Sequence, residues 1–225
     1  MERHAGVQTH LGKLKAWCRG GGPAPCDLAA LGREVWRSDL HDEANGLVVL
    51  GSPIGRKAFV VAHGRERIAN EKVLLDQVQR MQDPQCAWVM PSRSAVPRAN
   101  HMLRTVPPTL AAEYARAHDD EVWRCFRVLL GADKDDPDDL ARSIATLPGG
   151  LGGLGLRSAE RTAESAYWAS WVDTLAVLHD KAPDLAAQAV RDLTREDGPQ
   201  TDCMREAELG RAQLLGAGGQ DIPTW

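Results

Sequence analysis

Several features are scarce or absent in this sequence, and each absence argues against a class of protein. The chain contains no run of about 18 apolar residues, so no membrane-spanning helix is predicted. Its five cysteines are widely spaced and form no C-x-x-C pair, which argues against a zinc site or disulfide framework and predicts reduced, mostly packed thiols. The first residues contain no apolar signal-peptide segment, so we expect an intracellular protein. The net charge of −4 provides no general attraction to nucleic acid.

Apolar residues at helical spacing, separated by proline and glycine, are abundant. Hydrophobic residues make up 43% of the 225 residues, which is ample for a core and fits one domain or slightly more. We expect seven tryptophans to be buried or to lie in an interface. The pattern predicts a mainly α protein, a helical thumb-like bundle with one short β-strand or hairpin near residues 46–55.

The predicted helices cover residues 27–37, 57–81, 97–106, 109–130, 159–179, 183–193 and about 204–215. The first of them should place Leu31, Val35 and Trp36 inward, and Thr109 should cap the fourth. Asp83 and Pro84 should start a further helix, and Asp136 should open the helix that precedes the glycine-rich segment.

The segment 147–158 contains five glycines and one proline, which cannot continue a helix. Its glycines at 150, 152 and 155 match the dinucleotide fingerprint G-x-G-x-x-G. That fingerprint has physical meaning only between a buried strand and a helix, whereas a helix and Pro148 come before it here. We therefore predict a structural turn, with Ser158 capping the following helix.

Two acidic stretches invite a metal-site interpretation that their sequence does not support. Residues 118–121 read His-Asp-Asp-Glu, but they lie within a predicted helix, where neighbouring side chains point about 100° apart and cannot converge on two magnesium ions. The stretch from Asp133 to Asp139 does not begin a calcium-binding loop, because glycine is absent from the sixth position and Ile144 lies where the bidentate acid belongs. The sequence therefore predicts neither catalytic nor metal-binding residues.

A basic region runs from Pro84 to Ala112 without any acidic residue. Its helical spacing places Ala99, Met102, Leu103 and Val106 on one side and Arg98, His101 and Arg104 on the other, with Arg93 just upstream. Such a face suits contact with a phosphate backbone. A solvated amphipathic helix would show the same pattern, so both interpretations stay open at this stage.

Five segments in the same order resemble LINE-type (non-LTR) retrotransposon reverse transcriptases. Each lies in a different part of the chain, and together they span about residues 1–180. The longest is Pro97–Pro108, which is similar to the family's PRANHLLRTLPP segment. The others are GKLKAW at residues 12–17 with LGSPIG at 50–55, LP…GGLGLRS at 147–158, and AYWASW at 166–171.

The resemblance implies roles for several residues in the first part of the chain. GKLKAW is similar to the fourth motif of the reverse transcriptase palm, which would place Lys13 near the leaving pyrophosphate, with Lys15 beside it. The family usually has threonine where this chain has Leu14. LGSPIG resembles the primer-grip hairpin of the fifth motif, in which Gly51 and Ser52 would face a nucleic-acid terminus. A solvated basic loop and a plain core strand are the alternatives for these two segments.

The resemblance also implies a division of the chain. Residues 1–56 would be a remnant of the palm, residues 57–194 a helical thumb-like region, and residues 195–225 a weakly ordered tail. Since the strands that carry the family's catalytic aspartates would precede Met1, we expect a truncated fragment. Magnesium would serve only intact relatives, and this chain would need no cofactor of its own. We expect no primer extension by the purified chain with magnesium.

Three functions follow as hypotheses. The first is a reverse transcriptase fragment with residual binding to RNA or an RNA–DNA template–primer. The tentative contacts would be Lys13, Lys15, Gly51, Ser52, Arg93, Arg98, His101 and Arg104. The second is a helical protein-interaction module without a nucleic-acid role, and the third is a subunit that completes a separately encoded palm. Former palm surface exposed in residues 1–55 would also favour self-association.

Overall fold

The protein is mainly helical with one small antiparallel sheet, as the sequence predicts. The computed structural model describes residues 11–132, 139–199 and 201–218. The chain divides into two compact units, Met1–His63 and Gly64–Trp225. The boundary between the units falls inside a long helix, seven residues beyond the boundary that the sequence suggested at 56/57.

The elements of each unit have the following bounds. The first unit contains α1 (Cys26–Ala29), β1 (Gly46–Val49) and β2 (Ser52–Gly55), and α2 (Lys57–Val78) begins in it. The second unit contains α3 (Pro84–Met90), α4 (Ala99–Thr105), α5 (Pro108–Leu130), α6 (Asp139–Thr146), α7 (Ala159–Lys181), α8 (Pro183–Leu193) and α9 (Asp202–Gly216). Short 3-10 or π turns lie at Leu11–Lys13, Asp42–Ala44, Pro91–Ala95, Val96–Arg98 and Gly149–Leu151.

A buried asparagine organises the first unit. The Asn45 side chain accepts a hydrogen bond from the Trp17 indole (2.7 Å) and donates to the carbonyl oxygens of Ser38 and Leu40. Backbone hydrogen bonds join Ala16 to the segment around Trp36 in a parallel bridge. Since a buried polar side chain is costly unless it is paired, this asparagine holds three separate segments in one arrangement.

The predicted helix over residues 27–37 is wrong. The structure keeps only the single turn α1, because the chain turns at Gly32 with a φ of +116°, a value that no helix contains. Leu31, which the helical pattern placed inward, is exposed, whereas Val35 is buried from a turn and Trp36 from the bridge to Ala16. Their burial was therefore predicted correctly and their backbone conformation was not.

The predicted hairpin near residue 50 is present. β1 and β2 pair antiparallel with Val49 opposite Ser52, leaving Leu50 and Gly51 as a two-residue loop. Both loop residues have positive φ, +50° and +84°, which is typical of the turn type that favours Asn-Gly. The hairpin is not a core strand, because Val48, Val49, Leu50 and Ile54 are all exposed.

Leu50 occupies a backbone conformation that disfavours its side chain. It has positive φ and is 94% exposed, so burial of the leucine does not offset the strain. We expect Leu50→Asn to stabilise the hairpin by about 1 kcal/mol, since asparagine tolerates this conformation. Urea unfolding should show a higher midpoint for this variant than for Leu50→Ala, which retains the strain. Equal midpoints for the two variants would contradict this explanation.

The core of the second unit lies between α2, α3, α5 and α6. It contains Leu75, Val78 and the fully buried Phe126, whose ring meets that of Trp88 edge to face at 5.0 Å between centroids. Leu156 extends the core from the segment between α6 and α7. α7 packs against α4, α5, α8 and α9, so it is the central helix of the unit.

A polar cluster is buried between α2 and α5. One oxygen of the Glu71 carboxylate accepts a hydrogen bond from the Tyr114 hydroxyl (2.9 Å), and the other lies 2.7 Å from His118 Nδ1. His118 is 1% exposed, and both its partners are buried as well. These hydrogen bonds specify how the two helices meet, while His118 Nε2 is buried without a hydrogen-bond partner among the described residues.

Several helix boundaries confirm the sequence predictions. The Asp83 carboxylate caps α3 by accepting from the backbone of Gln85 and Cys86, and Ser158 Oγ accepts from the backbone of Arg161 at the start of α7. The predicted cap at Thr109 is wrong, because Pro107 precedes α5 and Thr109 lies within its first turn. The Thr109 backbone N–H and hydroxyl both donate to the Glu206 carboxylate on α9 instead.

Of the tail 195–225 that was predicted to be weakly ordered, the structure describes residues 195–199 and 201–218, and the prediction is wrong for the second range because it contains a packed helix. Ala207 of α9 is fully buried, and α9 packs against α7. The predicted helix opening at Asp136 and the stretch 133–138 lie outside the described residues. Within the described residues, no helix is long and apolar enough to span a membrane.

The thiols depart from the sequence expectation. All five cysteines are free, as predicted, but Cys18, Cys26 and Cys86 are exposed and only Cys125 is fully buried. The expectation of mostly packed thiols is therefore wrong. Wide spacing along the sequence excluded disulfide frameworks without indicating which cysteines face the core.

Candidate nucleic-acid interface

α4 forms one wall of the candidate site because of its apolar spacing. Ala99, Met102 and Leu103 are each 1% exposed and bury one side of the helix in the second unit, as the sequence predicts. The same packing leaves Arg98 and His101 exposed and Arg104 half-buried. The helix thus presents charged groups at its surface from a fixed backbone.

The segment 147–158 and the beginning of α7 form the opposite wall. The prediction of a structural turn is confirmed, since α6 precedes the segment, Gly149–Leu151 form a 3-10 turn and none of residues 147–158 lies in a strand. Backbone N–H groups of Leu154 and Leu156 both donate to the Ala145 carbonyl, which ties the segment to α6. On the other side, Ser158 begins α7. Arg157 therefore lies between two anchored residues.

Between these walls lies a groove with a volume of about 840 Å³, which we call the arginine groove. Three arginines line it, and the described residues that line it include no acid. Its floor is made of small and apolar side chains, and four polar side chains can donate or accept hydrogen bonds along it. Its lining consists of Arg93, Arg104, Arg157, Ser92, Asn100, Thr162, Ser165, Val96, Pro97, Ala99, Leu103, Gly155, Ala159, Ala166, Trp168, Ala169 and Leu214.

The three groove arginines differ in their partners. Arg104 pairs with Asp173 of α7 at 2.6 Å, while Arg93 and Arg157 make no ion pair or side-chain hydrogen bond within the described residues. Both unpaired arginines are exposed. A multiply charged anion in the groove would therefore meet at least two guanidinium groups that give up no existing partner, which suits bidentate contact with phosphate.

A neighbouring cavity of about 360 Å³ has a different electrostatic character. Arg157 lines it too, together with three further arginines and three acids. Arg142 lies 2.7 Å from Asp120, and Arg116 lies 3.5 Å from Glu160, so these pairs offset much of the positive charge there. Of these two sites, the arginine groove is the one with no acid among its described lining residues, and it is therefore better suited to a polyanion.

The structure divides the four predicted contacts of the basic region. Arg93 and Arg104 line the arginine groove, whereas Arg98 and His101 do not. Asn100 and Arg104 are four residues apart, so they lie on the same side of α4, and the groove runs along that side of the helix. The basic face that the sequence predicts lies at the surface, since Arg98 and His101 are exposed and Arg104 is half-buried, and Arg104 is the one of the three that lines the groove.

The other four predicted contacts lie in the first unit. Lys13 is exposed at the end of a 3-10 turn, and Lys15 is exposed with its ammonium donating to the Glu34 carbonyl oxygen at 3.0 Å. Gly51 is the second residue of the hairpin loop, and Ser52 begins β2. Their proposed contacts with nucleic acid stay predictions.

The acidic run 118–121 has structural partners, as its helical position indicates. Asp119 caps α7, Asp120 pairs with Arg142, and Glu121 pairs with Arg124. The carboxylates of this run therefore do not converge as the paired aspartates of a magnesium-dependent polymerase do. Among the described residues, no group of three or more His, Cys, Asp or Glu side chains is placed to hold a metal ion.

Sequence reasoning missed Arg157 as a member of the site. It belongs to the LRS end of the glycine-rich segment, which was interpreted only as a turn. Its position directly before a predicted N-cap was the available signal, because such residues are held by the start of the helix. Asn100, Thr162 and Ser165 were missed as well, since nothing local distinguishes them from other exposed polar residues.

Two of the three aromatic residues in the AYWASW segment are used for packing, as expected. Tyr167 and Trp168 are buried, and Trp168 also lines the groove, whereas Trp171 is half-buried. Contact with phosphate in the groove depends on the arginines.

Comparison of the chain with family models, with curated proteins and with solved structures gives no match.

Proposed function

We propose that this chain is the thumb-side part of a LINE-type reverse transcriptase and that the arginine groove binds the sugar–phosphate backbone of an RNA or RNA–DNA template–primer. One observation carries the proposal. Three segments that resemble the family, at residues 97–108, 147–158 and 166–171, each contribute residues to the lining of the same groove. They contribute Arg104 from the first, Arg157 from the second and Trp168 from the third.

The chemistry of the groove supports a polyanionic ligand. Guanidinium groups are suited to phosphate, and the absence of acids among the described lining residues leaves their charge uncompensated except at Arg104. The chain as a whole carries a charge of −4, so binding depends on this local concentration of positive charge. Since contacts would go mainly to phosphates, binding would be strongly salt-dependent and would show little sequence preference.

Replacement of Arg93, Arg104 and Arg157 together by glutamine tests the proposal. The wild-type chain should bind a labelled RNA–DNA hybrid in fluorescence anisotropy, with affinity that falls as salt rises. The triple variant should bind at least about tenfold more weakly at low salt, and its slope of log affinity against log salt should fall by about three.

A matched triple variant controls for the general loss of charge. Arg191, Arg195 and Arg205 are exposed arginines outside the groove, and their replacement by glutamine removes the same total charge. This variant should retain most of the affinity and the original salt slope. Equal losses in the two triple variants, or no binding by the wild type, would refute the groove as the binding site.

A second candidate function, a protein-interaction module, is favoured by the exposed hairpin. Val48, Val49, Leu50 and Ile54 place apolar side chains in solvent, which is typical of a surface that contacts another protein. Without salt-dependent binding of nucleic acid, a stable complex that forms through this hairpin would favour the second candidate. A complex that gains primer-extension activity would instead favour a separately encoded palm.

A further inference from the structure

Asp119 is the residue through which α5 holds the start of α7. Its carboxylate accepts three hydrogen bonds, from Ser158 Oγ at 2.7 Å, from the Ala159 N–H at 2.7 Å and from the Glu160 N–H at 3.1 Å. Two of these donors are backbone groups of the first turn that have no partner within the helix. The negative carboxylate also suits the positive end of the helix dipole.

These hydrogen bonds hold Ser158 and the first turn of α7 in place. Arg157 is the residue directly before Ser158. On its other side, Leu156 is buried in the core and donates its N–H to the Ala145 carbonyl at 3.2 Å. The backbone of Arg157 is thus fixed from both sides, while its side chain is exposed and makes no ion pair within the described residues. A guanidinium held in this way loses little backbone freedom when it binds a ligand.

We propose that Asp119 is a positioning residue for the arginine groove, in that its carboxylate fixes the backbone from which Arg157 reaches the phosphate. This inference rests on the proposed function. It assigns to one of the two neighbouring aspartates a role that is neither catalytic nor metal-binding. The carboxylate acts on the ligand through Arg157, because its own oxygens are occupied by the start of α7.

The direction in which affinity changes distinguishes a positioning role of Asp119 from a simple electrostatic effect of its charge. Removing a negative charge near a polyanion site should strengthen binding, whereas loss of the anchor should weaken it. Asp120 is the matched control, because it is the next residue, carries the same charge and pairs with Arg142 instead of the start of α7. Asp119→Ala and Asp120→Ala therefore remove the same charge and differ in the anchor.

The experiment measures affinity for the RNA–DNA hybrid across salt concentrations for the wild type, Asp119→Ala, Asp120→Ala, Arg157→Gln and the double variant D119A/R157Q. Asp119→Ala should weaken binding roughly as much as Arg157→Gln, which lowers the salt slope by about one. Asp120→Ala should bind as tightly as the wild type or more tightly. The double variant should bind no more weakly than Arg157→Gln alone, because Asp119 acts through that arginine.

The alternatives are distinguishable from one another. The positioning role is refuted if Asp119→Ala binds as tightly as Asp120→Ala. It is also refuted if the double variant loses affinity by the product of the two single losses. In either case the arginine groove remains supported as the binding site. If the wild type shows no salt-dependent binding, the proposed function fails and the inference fails with it. Circular dichroism checks folding. Should Asp119→Ala not fold, Asp119→Asn, which keeps one accepting oxygen, is expected to show an intermediate loss of affinity, and wild-type affinity would refute the role.

Discussion

Between pH 10 and 12 the protein should lose stability while its tyrosines remain protonated in the folded state. The sequence contains two tyrosines, Tyr114 and Tyr167, and both are buried. Burial raises the pKa of Tyr167 from 10.0 to about 12. Burial also raises the pKa of Tyr114, and the Glu71 carboxylate beside its hydroxyl acts in the same direction.

The direction of the effect follows from the protons bound in each state. Above pH 10 the unfolded chain releases its tyrosine protons, whereas the folded chain retains them, so rising pH favours unfolding. The rise of the Tyr167 pKa from 10.0 to about 12 corresponds to a loss on the order of 3 kcal/mol in the free energy of unfolding by pH 12, and Tyr114 adds to this loss. Below pH 10 the contribution is fully present.

Near-ultraviolet absorbance of the phenolate ion checks this prediction, because no other tyrosine contributes to the signal. Phenolate absorbance should appear at the same pH as unfolding and not at a lower pH. Circular dichroism measures the unfolding. The variant Tyr167→Phe should lose stability less steeply over the same pH range. Full phenolate absorbance near pH 10 in a protein that is still folded would contradict the prediction.

Sequence patterns predicted the features of this fold that depend on local spacing. The buried side of α4 was predicted residue by residue, since Ala99, Met102, Leu103 and Val106 are all buried. The cap at Ser158 and the hairpin near residue 50 followed from short-range preferences in the same way. Each of these features involves residues no more than about ten positions apart, which is the range over which periodicity and capping operate.

The features that sequence analysis missed depend on contacts between distant residues. Arg104 pairs with Asp173, 69 residues later, and Glu206 holds the start of α5 from 97 residues away. Nothing in the local sequence of either partner indicates the other. The failed helix over 27–37 has a different cause, because the apolar spacing was helical but Gly32 turns the chain.

The candidate site was predicted in part for the same reason. Arg93 and Arg104 were identified from the absence of nearby acids, which is visible in the sequence. The membership of Arg157 became visible only when α7 and the segment before it were placed beside α4. A groove is a property of packed elements, so a sequence can indicate its charged residues without indicating which of them meet.

Replacement of Glu71 by alanine should be among the most destabilising single changes in this protein. Glu71 connects α2 to Tyr114 and His118 on α5, and all three side chains are buried. Alanine would leave both partners without an acceptor in a region that water does not reach. Each such loss costs about 1 to 3 kcal/mol, so we expect a decrease of roughly 2 to 5 kcal/mol in the free energy of unfolding.

A conservative variant distinguishes loss of hydrogen bonds from loss of charge. Glu71→Gln keeps one oxygen to accept from Tyr114 and an amide group that can pair with His118 Nδ1, so it should cost clearly less than Glu71→Ala. Tyr114→Phe should lie between Glu71→Gln and Glu71→Ala, because it removes one of the two hydrogen bonds. Urea unfolding at neutral pH measures all three. A loss below about 1 kcal/mol for Glu71→Ala would mean that water or another group replaces the carboxylate, and that the cluster does not specify how α2 and α5 pack.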